Sequence, residues 1–115
     1  MQTNKPNIII DKTLEFALLI IEFTELLILQ KKFVIAHQLL KSGTSIGANV
    51  REAQNAESKI DFNHKMKIAA KEADETEYWL HLCHNSKNYP NCDVLRLLII
   101  DINKILSKII ATSKS

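Results

Sequence analysis

Apolar residues recur along this chain at helical spacing in four successive stretches. Ala36, Leu39, Gly43, Ile46, Val50 and Ala53 follow one another at alternating intervals of three and four. Phe62, Met66, Ala69, Ala73, Thr76, Leu80 and Cys83 repeat that pattern, and Leu95, Leu98, Ile102, Ile105 and Ile109 extend it. Such rows place one apolar stripe on one helix face, the geometry of left-handed helix–helix packing. The earliest stretch differs. Phe16, Leu19, Phe23 and Leu26 form one stripe; Leu14, Leu18, Ile21 and Ile28 form another. The last stretch also has Val94, Leu97, Ile99, Leu106 and Ile110 outside its main seam. A helix apolar on most sides must be covered on most sides. Either the core face is broad with an apolar rim, or the first and fourth helices pack against other subunits. Patches of this size are uncommon on soluble monomers, which favours the second reading.

Local signals set the boundaries. Asp11 is an N-cap candidate for a first helix to about Gln30, and Gln30-Lys31-Lys32 is a weak break. A second helix is expected from Phe33 to Ala56. Ser58-Lys-Ile-Asp61 reads as a capping box opening a third helix to about Ser86. Asn88-Tyr-Pro90-Asn91 is the clearest turn, since Pro90 cannot continue a helix. Asn91 or Asp93 then starts a fourth helix to about Ala111. Short connections make sequential helices antiparallel, so the expected fold is all-α: an antiparallel up-down-up-down four-helix bundle. One domain spans residues 1–115, with 1–7 and 112–115 expected as mobile tails.

Both glycines lie inside the second helix, at Gly43 and Gly47. A glycine in a helix interior costs about 1 kcal/mol relative to alanine, so the pair implies a close backbone approach. Antiparallel packing of helices two and three would set Gly43 against Ala73 and Gly47 against Ala69, with Val50 facing Met66 and Ala36 facing Leu80. Ser45 and Asn49 share a face, where a buried polar network would specify register.

Composition narrows the class. The chain has 115 residues, enough for one real core, and only 2 glycines and 2 prolines, too few for the turns of a sheet protein. Two cysteines make no disulfide framework, and no signal peptide or apolar run of membrane-spanning length is evident, so a reducing cytoplasm is expected and no membrane. The net charge of +2 permits anionic partners without demanding them.

No residue set specifies a reaction. The chain has no Glu-x-x-His for a di-metal bundle site, and Gly43-x-x-x-Gly47 lacks the Gly-Lys-Ser/Thr of a phosphate loop. Ser42, Ser45 and His64 are not presented by any strained turn. Glu77, His81 and His84 share a face, and His81, Cys83, His84 and Cys92 offer zinc-ligand atoms at a spacing that matches no common pattern. Cys83 falls on the core seam instead. Glu72, Asp74, Glu75 and Glu77 read as a solvated or ion-paired helix face rather than an acid/base pair. The expectation is no enzyme, no metal and no cofactor. The basic residues show one local order. His64, Lys67 and Lys71 line one face of the third helix with Lys65 nearby; His37, Lys41 and Arg51 offer a related face on the second, and Lys31–Lys32 sit at a turn. Such stripes contact phosphates, and a ring of subunits would concentrate them.

Ser42-Gly-Thr-Ser-Ile-Gly-Ala-Asn-Val-Arg-Glu-Ala53, followed by Phe62 and by Lys67-Ile-Ala-Ala-Lys-Glu-Ala-Asp-Glu-Thr-Glu-Tyr-Trp-Leu80, resembles the 23S rRNA intervening-sequence protein family, as does the entry Gln38-Leu-Leu-Lys-Ser42. The resemblance implies a four-helix bundle assembled as a homo-oligomeric ring, a pentamer, in bacteria. The related accessory proteins of diversity-generating retroelements imply RNA or DNA binding through a basic surface. The residues that would carry it are Lys41, Arg51, Lys65, Lys67 and Lys71. Two functional readings follow: a homo-oligomeric nucleic-acid-binding or accessory protein, and a protein-interaction scaffold with no nucleic-acid role. They differ in whether the cations are free or are paired to Glu72, Asp74 and their neighbours.

Overall fold

The computed structural model describes residues 7–113, and four α-helices account for most of them: α1 (Ile8–Leu29), α2 (Phe33–Ala53), α3 (Lys59–Asn85) and α4 (Asp93–Ser113). Each helix packs on its sequence neighbour, and α4 returns to α1, so the four close a ring around one core. Side-chain pairs fix the directions. Lys65 meets Glu52 and Thr76 meets Ser42, while Cys92 reaches Leu80 and Asn103 reaches Glu77. From one contact to the next, one number rises as the other falls, which runs α3 antiparallel to both α2 and α4. The result is a rod of 46 × 21 × 21 Å, consistent with its longest helix of 27 residues.

Several ends differ from the sequence expectation. The first helix starts at Ile8, and its N-cap is Asn7, whose side chain accepts from the Ile10 N–H, rather than Asp11. Asn7 and the α4 residues Thr112 and Ser113 are therefore ordered parts of the fold; the rest of both expected tails lies outside the described residues. The second helix stops at Ala53, short of Ala56, with turn-type bonds from Gln54, Asn55 and Ala56 closing it. Ser58 caps α3 as expected by accepting from the Asp61 N–H at 3.0 Å, but the Asp61 carboxylate reaches the Glu57 N–H. Asn91 starts no helix. It holds the chain with its side-chain oxygen on the Asp93 N–H at 2.9 Å, and α4 begins at Asp93.

The weak break at Gln30-Lys31-Lys32 is a complete helix stop. The Lys31 N–H donates to the Ile28 carbonyl and the Lys32 N–H to the Leu27 carbonyl, both at 2.9 Å, with Lys31 at φ 64°. This paired arrangement with a left-handed residue is a Schellman terminus, where glycine is usual. A lysine there costs about 1 kcal/mol, and no glycine in the sequence flags the stop. Asn88 holds the same conformation at φ 65° more comfortably.

Burial follows the seams on α2 and α3: Ala36, Leu39, Ile46, Val50, Met66, Ala69, Ala73 and Leu80 all lie in the core. On the outer helices the stripes shift. The buried residues of α4 are Leu95, Ile99, Ile102 and Leu106, so Ile99 and Leu106 belong to the core while Leu98, Ile105 and Ile109 flank it. On α1 the core line runs through Ile9, Phe16, Ile20, Phe23 and Leu27, and Leu26 is exposed. The outer helices are apolar on more than one face, so periodicity alone does not say which face turns inward.

The glycines face a different helix from the one expected. A Cβ built on Gly43 would lie 3.0 Å from two side-chain carbons of Ile20, and one on Gly47 would lie 3.3 Å from Thr13. Both glycines therefore admit α1, not Ala69 and Ala73 of α3. The α2–α3 register itself lies close to the expected one. Ser45 and Asn49 form no network across helices: each donates to a carbonyl of its own helix, Lys41 and Ser45 respectively. A buried polar link between α2 and α3 is the Ser42–Thr76 hydroxyl pair at 2.9 Å, with Thr76 also bonded to the Glu72 carbonyl.

If the close approach is to α1, Gly43→Val should cost about 1–3 kcal/mol through overpacking. Combined with Ile20→Ala it should cost at least 0.5 kcal/mol less than the two single losses together, as expected for residues in contact. Chemical denaturation of the four proteins in this cycle measures the coupling. A simple addition of the two losses would place the glycine away from Ile20.

Candidate nucleic-acid interface

The five cations do not share one surface. Lys67 and Lys71 stand one turn apart on α3, both exposed. Lys65, half-buried, turns toward α2, where its Nζ lies 3.0 Å from Glu52 Oε1; the hydrogen bond, and then the charge of Glu52, raise its pKa. Lys41 is exposed on α2. Arg51 leans to the other flank of α2 and lines a groove of about 210 Å³ with Leu14, Ala17, Thr44 and Ala48. The expected common stripe therefore divides. The physical reason is the helical turn: Lys41 and Arg51 are ten residues apart, which leaves them about 80° apart around the helix axis.

The pairing pattern is more informative. The ion pairs among the described residues include Lys12–Asp101, Lys65–Glu52 and His84–Asp93. Lys41, Arg51, Lys67 and Lys71 are in none of them. Two of the nearby acids are engaged elsewhere: Glu75 accepts from the Trp79 indole at 3.2 Å and Glu77 from the Asn103 amide at 2.8 Å. Asp74 and Glu77 line a groove of about 330 Å³ between α3 and α4 with Tyr78, His81, Arg96 and Ile100. Its carboxylates face a guanidinium and an imidazole, so it presents no cluster of one sign.

The outer surface of α1 is apolar as the sequence suggested. Leu14 and Leu18 are 57% and 54% exposed, Ile21 and Ile28 are exposed with them, and Leu97 of α4 is 70% exposed. This is the rim left when the core line runs through Ile20 and Leu27. Sequence reasoning missed a second grouping at one end of the rod. There the α1–α2 turn brings Lys31, Lys32 and Phe33 beside Trp79 and Tyr89, with the Lys32 ammonium 4.7 Å from the Tyr89 ring centroid. These residues lie far apart in the chain, and their only local signal is the Lys-Lys-Phe run.

Cys83 and Cys92 are buried free thiols in the core, while His81 and His84 are exposed on α3, with His81 bonded by Asn85 and His84 facing Asp93. The four do not converge, and no group of three metal-ligating side chains occurs among the described residues.

A compact bundle with no strand among its described residues, a glycine-notched second helix and an exposed apolar first helix defines a class of small all-α proteins. The match to one family runs over nearly the whole chain: the family model described as 23S rRNA-intervening sequence protein covers residues 5–111, and the chain belongs to that family. It is similar to the crystal structure of a protein of unknown function from the S23 ribosomal protein family of Bacteroides thetaiotaomicron. That match has 46% identity and a TM-score of 0.85, over 89% of this chain and 97% of the other. Among curated proteins, none gives a significant match.

The thiols give a pH test of the core. Burial, and secondarily the nearby Cys92, pushes Cys83 up to about 12 from 9.0. The folded state thus keeps a proton that the unfolded chain releases, so this contribution to stability is complete below about pH 9 and declines as pH rises toward 12. Denaturation midpoints should fall between pH 8 and pH 10.5, and less steeply in Cys83→Ala. Equal slopes in both proteins would mean that Cys83 is not held neutral by the core.

Proposed function

We propose that this protein is a non-enzymatic homo-oligomer that binds nucleic acid, RNA first, through its phosphates. The observation that carries the reading is the freedom of four cations: Lys41, Arg51, Lys67 and Lys71 form no ion pair among the described residues. A scaffold whose basic residues served only its own surface would spend them on Glu72, Asp74 and their neighbours. No motif places these side chains against base edges, so contacts to phosphate position the chain without reading sequence.

The exposed rows on α1 and α4 support self-association, and the pentameric ring implied by the family resemblance is the arrangement proposed. Each subunit offers few phosphate contacts; a ring repeats them and turns weak contacts into avidity. The proposed setting is the cytoplasm, where Cys83 and Cys92 stay reduced. Among the described residues, no helix is long and apolar enough to cross a membrane. The same apolar α1 surface favours the second reading, a scaffold for a protein partner.

Light scattering should give an oligomer at micromolar concentration, and Leu14→Glu with Leu18→Glu should release soluble smaller species. That double variant should bind RNA more weakly, on the order of 10²-fold, although it removes no cation. Lys67→Glu with Lys71→Glu should weaken binding in the intact oligomer. For each subunit that contacts a single strand it should also flatten the dependence of log affinity on log salt by about 1.4. An intact oligomer that binds neither RNA nor DNA at low salt would leave the scaffold reading in its place.

A further inference from the structure

We infer that the end of the bundle where the α1–α2 turn meets Trp79 and Tyr89 is a second contact site, one that takes an unpaired nucleotide of single-stranded RNA or DNA. The inference rests on the nucleic-acid reading above but uses different residues. The groove has a volume of about 380 Å³ and is lined by Lys31, Lys32, Phe33, Gln38, Trp79 and Tyr89 among others, with no carboxylate in its lining. Phe33 is 58% exposed at its mouth; Trp79 and Tyr89 are half-buried in its wall.

Three properties select the ligand. The lining combines aromatic rings with two ammonium groups, the pairing that holds single strands: bases stack on rings while phosphates meet cations. Lys32 already sits over the Tyr89 ring at 4.7 Å, so its charge is held at the groove instead of sweeping through solvent. The Trp79 N–H donates to Glu75, which fixes the indole in place before any ligand arrives. A duplex keeps its bases stacked inside and offers no free face to these rings, so the site distinguishes strands from helices. Gln38 supplies an amide that both donates and accepts, which suits a base edge of any identity. Lys31 holds a left-handed conformation that glycine would adopt with less strain, and backbone strain of this kind concentrates at binding sites.

The chain contains one tryptophan, so its fluorescence reports this groove directly. The test titrates the full-length protein with a 20-nucleotide oligo(U) and with an RNA duplex of the same length, following both Trp79 emission and anisotropy of labelled RNA. Oligo(U) should quench Trp79; the duplex should bind with little quenching. Phe33→Ala, at an exposed position that leaves the core intact, should lower oligo(U) affinity several-fold and leave duplex affinity unchanged. Lys31→Glu with Lys32→Glu should weaken oligo(U) and flatten its log–log salt slope by about 1.4 for two lost contacts. Circular dichroism checks that each variant remains folded. Oligo(U) binding that leaves Trp79 unchanged and ignores both variants, yet responds to Lys67→Glu with Lys71→Glu, overturns this site and leaves the phosphate surface standing. Quenching by a proline-rich peptide but not by oligo(U) also overturns it. Failure of both nucleic acids to bind at low salt overturns the two readings together.

Discussion

The close contact of α1 with α2 governs the rest of this molecule. At Gly43 a Cβ would lie only 3.0 Å from two side-chain carbons of Ile20, so any side chain there makes Ile20 shift. At Gly47 the neighbour is Thr13, whose hydroxyl donates to the Ile9 carbonyl at 2.7 Å and so presents its small, satisfied side to the notch. Drawing α1 in at these two points fixes which of its apolar faces turns inward. Once Ile20 and Leu27 define the core line, Leu14, Leu18 and Ile21 are forced outward. The exposed apolar surface is thus a consequence of the same notch that closes the bundle.

The helix pairs are held by different chemistry. Between α2 and α3 the buried seam is mostly alanine and aliphatic, with one hydroxyl pair, Ser42 and Thr76, inserted in it. A hydroxyl in such a place tolerates only positions that give it a partner, since an unsatisfied buried group costs about 1–3 kcal/mol. The pair therefore penalises slippage of one helix past the other. Between α1 and α4 the charged link is the Lys12–Asp101 pair at 2.8 Å, in which the hydrogen bond to Asp101 raises the lysine pKa. Both groups are partly open to water, so this contact orients more than it stabilises.

The surface separates into regions of distinct character. Lys67 and Lys71 stand free on α3, an apolar band runs along α1, and aromatic rings gather with two lysines at one end of the rod. Of the five candidate cations Lys41, Arg51, Lys65, Lys67 and Lys71, Lys65 is paired, to Glu52. A mildly basic chain thereby keeps its positive charge where an anionic partner can reach it.

Much of this was legible in the chain itself. The alternating intervals on the second and third helices, the Ser58 cap and Pro90 sufficed for four helices, their order and the buried faces of α2 and α3. These depend on local spacing and local hydrogen bonds, which the sequence carries directly. The family resemblance was equally legible, in the Ser42–Ala53 segment. Tertiary structure alone decided what lies across from each face. A glycine announces that something comes close but not what, and here α1 comes close instead of α3. A helix apolar on two sides does not announce which side is inside, so Ile20, Ile99 and Leu106 entered the core only when the partners were in place. The stop at Lys31 was faint because it rests on backbone bonds to Leu27 and Ile28 without the usual glycine. The groove of Lys32, Trp79 and Tyr89 was invisible for the same reason in stronger form: its members are distant in sequence and meet only because antiparallel helices bring two turns to one end.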